Sequence, residues 1–161
     1  MADKTLHKTN AARQLDQQKI DYSLIAYDVD ENDLGAQHIA EQLNEPIERL
    51  FKTLVLRGDK TGLLVCVVAG NDEVDLKKAA RATGNKKVEM IHVKELLPLT
   101  GYIRGGCSPV GMKKALPTWF DERITRYDYV YCSAGQRGLQ MRLAPHDLVR
   151  AAHGQLADLV L

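Results

Sequence analysis

The spacing of hydrophobic positions changes several times along the chain, and each change predicts a different element. Apolar residues at helical spacing after Asn10 predict a capped helix, and the alternating run at residues 22–27 predicts a strand. A second helix is expected after Asp33, whose carboxylate can cap it, and this helix should end before Pro46. Proline is favoured in the first turn of a helix, so a short helix is expected to begin at Pro46.

The middle of the chain has a period of two and predicts a β-hairpin. Residues 53–57 and 63–69 are the expected strands, joined by a turn at residues 58–62, and the second strand is apolar enough to lie inside the protein. Asp75 is expected to cap a helix that stops at Gly84. The remaining expected elements are an extended segment at 87–90, a brief helix at 94–97 before Pro98, strands at 118–124, 127–132 and 139–143, a turn at 134–138, and a closing helix at 145–152.

These elements predict one α/β domain over residues 1–161 with a largely antiparallel sheet, because no repeat and no flexible linker interrupts them. The composition agrees: 161 residues with 45% hydrophobic content can bury a core without disulfides or metals. The longest apolar run, at residues 63–69, is too short to span a bilayer, and residues 1–18 lack the apolar centre of a signal peptide. The three cysteines leave an odd thiol, which is typical of a reducing compartment, so we expect a cytoplasmic location and no membrane partner.

The net charge of +1 conceals an uneven distribution of charge along the chain. Residues 1–76 carry 8 basic and 14 acidic side chains, residues 77–114 carry 9 and 2, and residues 115–161 carry 5 of each. A basic block on a neutral protein favours a local anionic partner such as a nucleic acid. A solvated, lysine-rich helix face is the alternative explanation for the same pattern.

The segment TGYIRGGCSPVG at residues 100–111 is dense in residues that restrict or free the backbone, and it predicts an ordered loop. Gly105, Gly106 and Ser108 could offer N–H or hydroxyl groups to an oxygen that becomes negative, whereas a tight turn without a ligand is the alternative. Lys52, at the junction of a short helix and an apolar strand, either extends to water or holds an anionic or carbonyl group.

Signatures of other chemistries are missing from the sequence. Met112 stands where a nucleotide-binding P-loop needs lysine, and Pro109 removes one of the backbone donors of such a loop. The chain has no HExxH and no GxSxG motif. His146 and His153 are expected on one face of the closing helix without a third ligand nearby, so we expect surface histidines and no metal site.

A set of short motifs occurs in a fixed order along most of the chain. The motifs are FKTL at 51–54, DLKK at 75–78, KKVEM at 86–90, TG at 100–101, GGxSPxG at 105–111 and GxRG at 135–138. As a set they closely resemble the YbaK/EbsC family of freestanding Cys-tRNA(Pro) deacylases, which is related to the editing domain inserted in bacterial prolyl-tRNA synthetases. The resemblance extends from about residue 15 to about residue 159.

The resemblance implies a curved, mixed β-sheet or barrel surrounded by helices, and an enzyme that removes cysteine wrongly attached to proline tRNA. A proline pocket cannot strongly reject a side chain of similar volume, so a second, hydrolytic site is needed. In the family the substrate thiol attacks its own ester carbonyl and forms a thiolactone, which agrees with the lack of a nucleophile–base pair in this sequence. The implied partners are aminoacyl-tRNA and, as a further candidate, prolyl-tRNA synthetase, and no cofactor is implied.

Residue by residue, the resemblance makes Lys52, Gly105 and Gly106 the expected catalytic residues: the lysine would position the ester or the terminal ribose, and the glycine main chain would contact the carbonyl. The expected substrate-binding residues are Tyr27, Thr53, Cys107, Ser108, Pro109, Ser133, Gly135, Arg137 and Gly138. The lysines expected to meet acceptor-stem phosphates are Lys77, Lys78, Lys86, Lys87, Lys113 and Lys114. Two positions depart from the family pattern: Gln140 replaces a frequent acidic residue, and Cys107 replaces an aliphatic one.

Two alternative functions stay open at this stage. A relative with the same fold could act on Ala-tRNA(Pro), where no thiol assists and water must attack. A noncatalytic module would bind tRNA or a synthetase without turnover. Deacylation assays with Cys-, Ala- and Ser-charged tRNA(Pro) separate these possibilities.

Overall fold

A computed structural model describes residues 8–161, so part of the N-terminal segment used to predict the absence of a signal peptide lies outside the described residues. Residues 8–161 form five α-helices and eight β-strands. The helices are α1 (Asn10–Gln17), α2 (Ala36–Leu43), α3 (Leu76–Thr83), α4 (Val93–Thr100) and α5 (Pro145–Ala151). The strands are β1 (Tyr22–Ala26), β2 (Phe51–Gly58), β3 (Gly62–Ala69), β4 (Val88–Met90), β5 (Thr118–Asp121), β6 (Val130–Ser133), β7 (Leu139–Leu143) and β8 (Gln155–Ala157). Short 3₁₀ helices cover Ile47–Arg49 and Glu122–Arg126.

The strands form two sheets that meet at one point. Strands β1, β7 and β6 make an antiparallel three-stranded sheet, and the order β4-β2-β3-β5-β8 makes a five-stranded sheet. In the larger sheet β5 runs parallel to both β3 and β8. An isolated bridge between Leu50 and Tyr131 links the two sheets. The mixed α/β architecture is thus confirmed, and over residues 8–161 the strands form two sheets rather than a closed barrel.

Strand β3 is buried on both faces, which explains its uninterrupted run of apolar residues. Val65 and Val67 pack into the core between the two sheets, together with Phe120 and Met141. The alternate residues of β3 pack on the opposite face, against α3 and the C-terminal segment; they are Leu64, Cys66 and Val68. A strand with no solvent face needs no polar alternation, so the predicted burial of this strand is confirmed.

The caps of α3 are those that the sequence predicts, whereas the caps of α1 and α2 are not. The Asp75 carboxylate accepts hydrogen bonds from the N–H groups of the first turn of α3, and Gly84 ends the helix with φ of +78°. Thr9, rather than Asn10, caps α1. Gly35 precedes α2, and the Asp33 carboxylate accepts from the Gly35 N–H before the helix begins.

Three other predictions are corrected by the structure, and one strand was missed. Helix α4 continues through Pro98 to Thr100, since a proline in so short a helix removes only one main-chain bond. The predicted strand at 118–124 ends at Asp121, whose carboxylate accepts from the Arg123 N–H and begins a 3₁₀ helix. Strand β6 begins three residues later than predicted, at Val130, and β8 was not predicted at all.

None of the helices in residues 8–161 has the length and hydrophobicity needed to cross a bilayer.

Candidate active site

A cavity of about 570 Å³ lies beside the point where the two sheets meet. One wall is the start of β2, which follows the Leu50–Tyr131 bridge directly, and another wall is the start of α4. The glycine-rich loop contributes Gly105 and Cys107, and the smaller sheet contributes Ser133 and Gln140. Its volume falls within the range of about 300–1,000 Å³ that is typical of small-molecule sites.

The cavity lies along the part of β2 that β4 does not cover. Strand β4 pairs with β2 only at residues 56–58, so residues 51–55 of β2 are not paired with β4. The carbonyl of Val55 accepts from the Ile91 N–H on this edge. Because main-chain groups of a β-strand point alternately to its two edges, the N–H and C=O of Thr53 face the cavity as well.

Lys52 is the second residue of β2 and lines the cavity, so it lies at the junction of a short helix and an apolar strand, as the sequence predicts. Its Nζ atom lies 3.3 Å from the carbonyl oxygen of Gly70. Partial burial lowers the pKa of Lys52 below its ordinary value, and the nearby carboxylates of Glu73 and Asp72 oppose this shift. The ammonium group of Lys52 is therefore held at the cavity wall with N–H donors left for a ligand.

The glycine-rich loop is held against the turn between β6 and β7 by close main-chain contact. A Cβ at Gly106 would lie 3.3 Å from the main-chain atoms of Gln136 and Arg137, so only glycine fits without displacing that turn. The Arg137 Nε donates to the Arg104 carbonyl at 2.7 Å. The N–H of Gly106 already donates to the Ile103 carbonyl, which makes it unavailable to a substrate in this conformation.

Polar side chains inside the cavity have unused hydrogen-bonding capacity. The Thr53 Oγ1 is buried and has no partner among residues 8–161. The Ser133 Oγ accepts from the Gly135 N–H, which leaves its hydroxyl hydrogen for another acceptor. Ser133 and Gln140 stand opposite each other in the β6–β7 register, so their side chains share the face that lines the cavity.

The sequence-predicted site residues divide into those that line the cavity and those that support it. Lys52, Thr53, Gly105, Cys107 and Ser133 line it. The other predicted residues lie behind the lining or in the adjoining turn; they are Tyr27, Gly106, Ser108, Pro109, Gly135, Arg137 and Gly138. Ser108 is fully buried and its Oγ accepts from the Val110 N–H, so it shapes the loop rather than the cavity surface. Sequence reasoning noted Gln140 only as a departure, although the alternation of β7 could have placed it on the face shared with Ser133.

Cys107 and His92 both line the cavity, but they do not form a nucleophile–base pair. No hydrogen bond joins them, and burial raises the pKa of the Cys107 thiol to about 11. A thiol with this pKa is protonated near neutral pH and is a poor nucleophile. The cavity therefore offers positioning and charge rather than a nucleophile of its own.

The predicted phosphate-binding lysines fall into three pairs at different places in the fold. Lys86 and Lys87 are exposed beside the far end of the β2–β3 hairpin, where their N–H groups donate to Asp59. Lys113 lines a second hollow of about 160 Å³ next to the glycine-rich loop, followed by the exposed Lys114. Of the two predicted lysines on α3, Lys77 is exposed, whereas Lys78 is half-buried, ion-paired with Asp158 and bonded to the Val160 carbonyl.

The histidines of the C-terminal region do not share a helix face. His146 is exposed on α5, and the exposed His153 follows the end of that helix with φ of +51°. Within residues 8–161 there is no group of three or more His, Cys, Asp or Glu side chains placed to hold a metal ion.

Comparison with known proteins identifies one family. The model of the aminoacyl-tRNA editing domain matches residues 31–151. EbsC of Enterococcus faecalis, named as a candidate Cys-tRNA(Pro)/Cys-tRNA(Cys) deacylase, is 49% identical over 156 residues, which cover 97% of this chain and 95% of that protein. The proline–tRNA ligase of Shouchella clausii is 32% identical over 99 residues, 62% of this chain and 17% of the ligase. A solved structure described as that of a candidate trans-editing enzyme for prolyl-tRNA synthetase is 26% identical, with a TM-score of 0.80 over 94% of this chain and 95% of that chain.

Proposed function

The chain belongs to the aminoacyl-tRNA editing domain family, and on that premise we propose that it is a deacylase that removes cysteine from Cys-tRNA(Pro) and from Cys-tRNA(Cys). The observation that carries the proposal is a cavity whose volume suits a small-molecule group such as an aminoacyl ester. Lys52 lines this cavity, and its lining residues include no nucleophile–base pair. A substrate that brings its own nucleophile supplies the group that the lining residues do not.

In the proposed reaction the thiol of the bound cysteinyl ester attacks the ester carbonyl carbon. A C–S bond forms and the C–O bond to the terminal ribose breaks, so that the thiol proton is lost and the released 3′ oxygen gains a proton. The products are a thiolactone, which water later opens to cysteine, and uncharged tRNA. The site contributes orientation, which can supply a large part of the rate enhancement of an intramolecular reaction.

Lys52 is the proposed catalytic cation. Its ammonium donates to the carbonyl oxygen as that oxygen becomes negative, and the half-buried position strengthens this interaction relative to water. Gly105, which lines the cavity with φ of +85°, brings the main chain close to the same ester. Removal of one such donor typically lowers kcat by about 10²–10³-fold.

The test measures release of amino acid from Cys-, Ser- and Ala-charged tRNA(Pro) by the wild type, Lys52→Ala and Lys60→Ala. Cysteine should be released, serine and alanine should be released far more slowly, and Lys52→Ala should lose about 10²–10³-fold in kcat. Lys60 is exposed in the hairpin turn and serves as the matched control. Equal rates for alanine and cysteine would indicate attack by water, and binding without release would indicate a noncatalytic module.

Three further parts of the proposal concern the setting of this activity. Residues 1–161 are proposed to act as one editing domain, located in the cytoplasm. Prolyl-tRNA synthetase is the proposed partner that delivers mischarged tRNA, supported by the likeness to part of a proline–tRNA ligase. Faster deacylation on addition of that synthetase, at constant tRNA concentration, is the expected result.

A further inference from the structure

Gln140 is a buried polar residue whose side-chain amide makes no hydrogen bond within residues 8–161. The residue is only 5% exposed, it lies on β7 between Ile25 of β1 and Ser133 of β6, and it lines the cavity. No hydrogen bond within residues 8–161 involves its amide, whose atoms stay accessible on the cavity side. Side-chain amides of buried residues are nearly always hydrogen-bonded, so one that faces a cavity without a protein partner is available to a ligand.

The Thr53 hydroxyl, on the wall formed by β2, also lacks a hydrogen-bond partner within the described residues. Its Oγ1 is buried without a partner among the described residues, and it also belongs to the cavity lining. Thr53 and Gln140 are thus two lining side chains, one from each sheet, without a hydrogen-bond partner in residues 8–161.

The charged side chains of the cavity can only donate hydrogen bonds. Lys52 and Arg104 are donors only, and no Asp or Glu occurs among the lining residues, all of which lie in the described part of the chain. A ligand group that needs acceptors must therefore use neutral oxygens, and the Gln140 amide oxygen and the Thr53 hydroxyl are lining acceptors without a hydrogen-bond partner in residues 8–161.

We propose that Gln140 is a specificity-determining residue that binds the α-amino group of the aminoacyl ester, with its amide oxygen as the acceptor and Thr53 Oγ1 as a second acceptor. This inference rests on the proposed function. The amine, a donor, is repelled by Lys52 and binds at Gln140, while the ester carbonyl, an acceptor, binds at Lys52. The site thereby favours esters with an unblocked α-amino group, which can donate to both acceptors.

The test is a double-mutant cycle between the enzyme and its substrate. The substrates are Cys-tRNA(Pro) and 3-mercaptopropionyl-tRNA(Pro), which keeps the thiol and the ester but lacks the amine. For the wild type, kcat/KM should be higher with the amine than without it. In Gln140→Leu this ratio should fall about 10–100-fold, to the value set by the intrinsic reactivity of the two esters. In Gln140→Glu, which keeps acceptor oxygens at the same position, the wild-type ratio should persist.

Each outcome bears on the inference. Gln155→Leu, an exposed glutamine on β8, is the matched control and should keep the wild-type ratio. A wild-type ratio near 1, or an undiminished ratio in Gln140→Leu, overturns the role of Gln140 while leaving the deacylase activity intact. A wild type that releases no cysteine from Cys-tRNA overturns the proposed function and this inference together. The ratio is measured within each variant, so a general loss of stability does not change it.

Discussion

At the scale of single residues, burial controls what the three cysteines can do. Burial raises the pKa of Cys66 and Cys132 to about 12 and that of Cys107 to about 11, and none of them forms a disulfide. Only Cys107 lines the cavity, where a reagent can reach it. The reactivity of the Cys107 thiol is therefore limited by its small thiolate fraction and not only by how easily a reagent reaches it.

The resulting prediction concerns alkylation of the native protein by iodoacetamide. At pH 8 a thiol with a pKa of about 11 is about one part in a thousand thiolate, against about one in ten for an ordinary thiol with a pKa of 9.0. Labelling should thus be slow, occur first at Cys107, and accelerate about tenfold per pH unit between pH 8 and 10. Peptide mapping by mass spectrometry measures it, with Cys107→Ser as the control. Rapid labelling at pH 7 would contradict the assignment of Cys107 as an inert lining residue.

Gly84 and Gly111 share a backbone conformation, so substitutions at the two positions distinguish the effect of backbone strain from that of a steric clash. Gly111 and Gly84 have φ near +80°, but a Cβ at Gly84 would meet nothing within 4 Å, whereas one at Gly111 would lie 2.6 Å from the main-chain nitrogen of Ala11. Gly84→Ala should lower the free energy of unfolding by roughly 1 kcal/mol through backbone strain alone. Gly111→Ala should lower the free energy of unfolding by about 1–3 kcal/mol more than Gly84→Ala does, because α1 must move away from the new Cβ. Urea denaturation of both variants measures the difference, and equal midpoints would contradict the contact between the loop and α1.

At the scale of elements, Asn85 fixes the β2–β3 turn to the end of α3. Its amide oxygen accepts from the N–H groups of Lys60 and Thr61, and its amide nitrogen donates to the hydroxyls of Thr61 and Thr83. The residue is 8% exposed, and a Cβ at Gly58 would overlap its amide. One side chain thereby replaces the main-chain bonds that a tighter hairpin turn would make.

We predict that Asn85→Ala lowers the free energy of unfolding by roughly 1–3 kcal/mol, since several buried polar groups lose a partner. Asn71→Ala, at an exposed position, is the matched control and should change it by less than about 0.5 kcal/mol. Chemical denaturation measures both. A loss for Asn85→Ala no larger than that of the control would show that the turn does not depend on this side chain.

The elements that could be predicted from the sequence are those determined by local chemistry. The hairpin and α3 follow from the apolar period, Asp75 and Gly84. Strand β8 could not be predicted because three residues acquire their strand conformation only by pairing with β5, which is distant in sequence. The end of β5 depends on the buried Asp121 carboxylate, which also accepts from the Leu159 N–H.

The site residues that could be predicted from the sequence are likewise those that belong to local motifs. Motifs identify Lys52, Thr53, Cys107 and Ser133, each of which lines the cavity. The lining role of Gln140 depends on the register of β6 and β7 and on the junction of two sheets, neither of which a local pattern contains.

At the scale of the whole molecule, the net charge of +1 gives no general attraction to RNA, so binding must depend on where the basic side chains lie. Lys113 and Lys114 are next to the glycine-rich loop and hence to the cavity, whereas Lys86 and Lys87 lie at the other end of the hairpin. Six residues of extended strand separate Lys52 from that end, a distance of roughly 20 Å. Within residues 8–161 none of these four lysines forms an ion pair.

We expect an RNA whose aminoacyl end occupies the cavity to place its terminal phosphates near Lys113 and Lys114, which follow the glycine-rich loop. We therefore predict that kcat/KM for Cys-tRNA(Pro) falls steeply with salt, and that Lys113→Ala/Lys114→Ala reduces the slope of log kcat/KM against log salt by about 2. Lys86→Ala/Lys87→Ala should reduce it by the same amount only if the acceptor stem extends along the hairpin. Arg126→Ala, an exposed cation outside the basic block, is the control and should leave the slope unchanged. A salt-independent rate in the wild type would contradict phosphate binding by either group, whereas an effect confined to Lys86 and Lys87 would place the RNA along the far end of the hairpin.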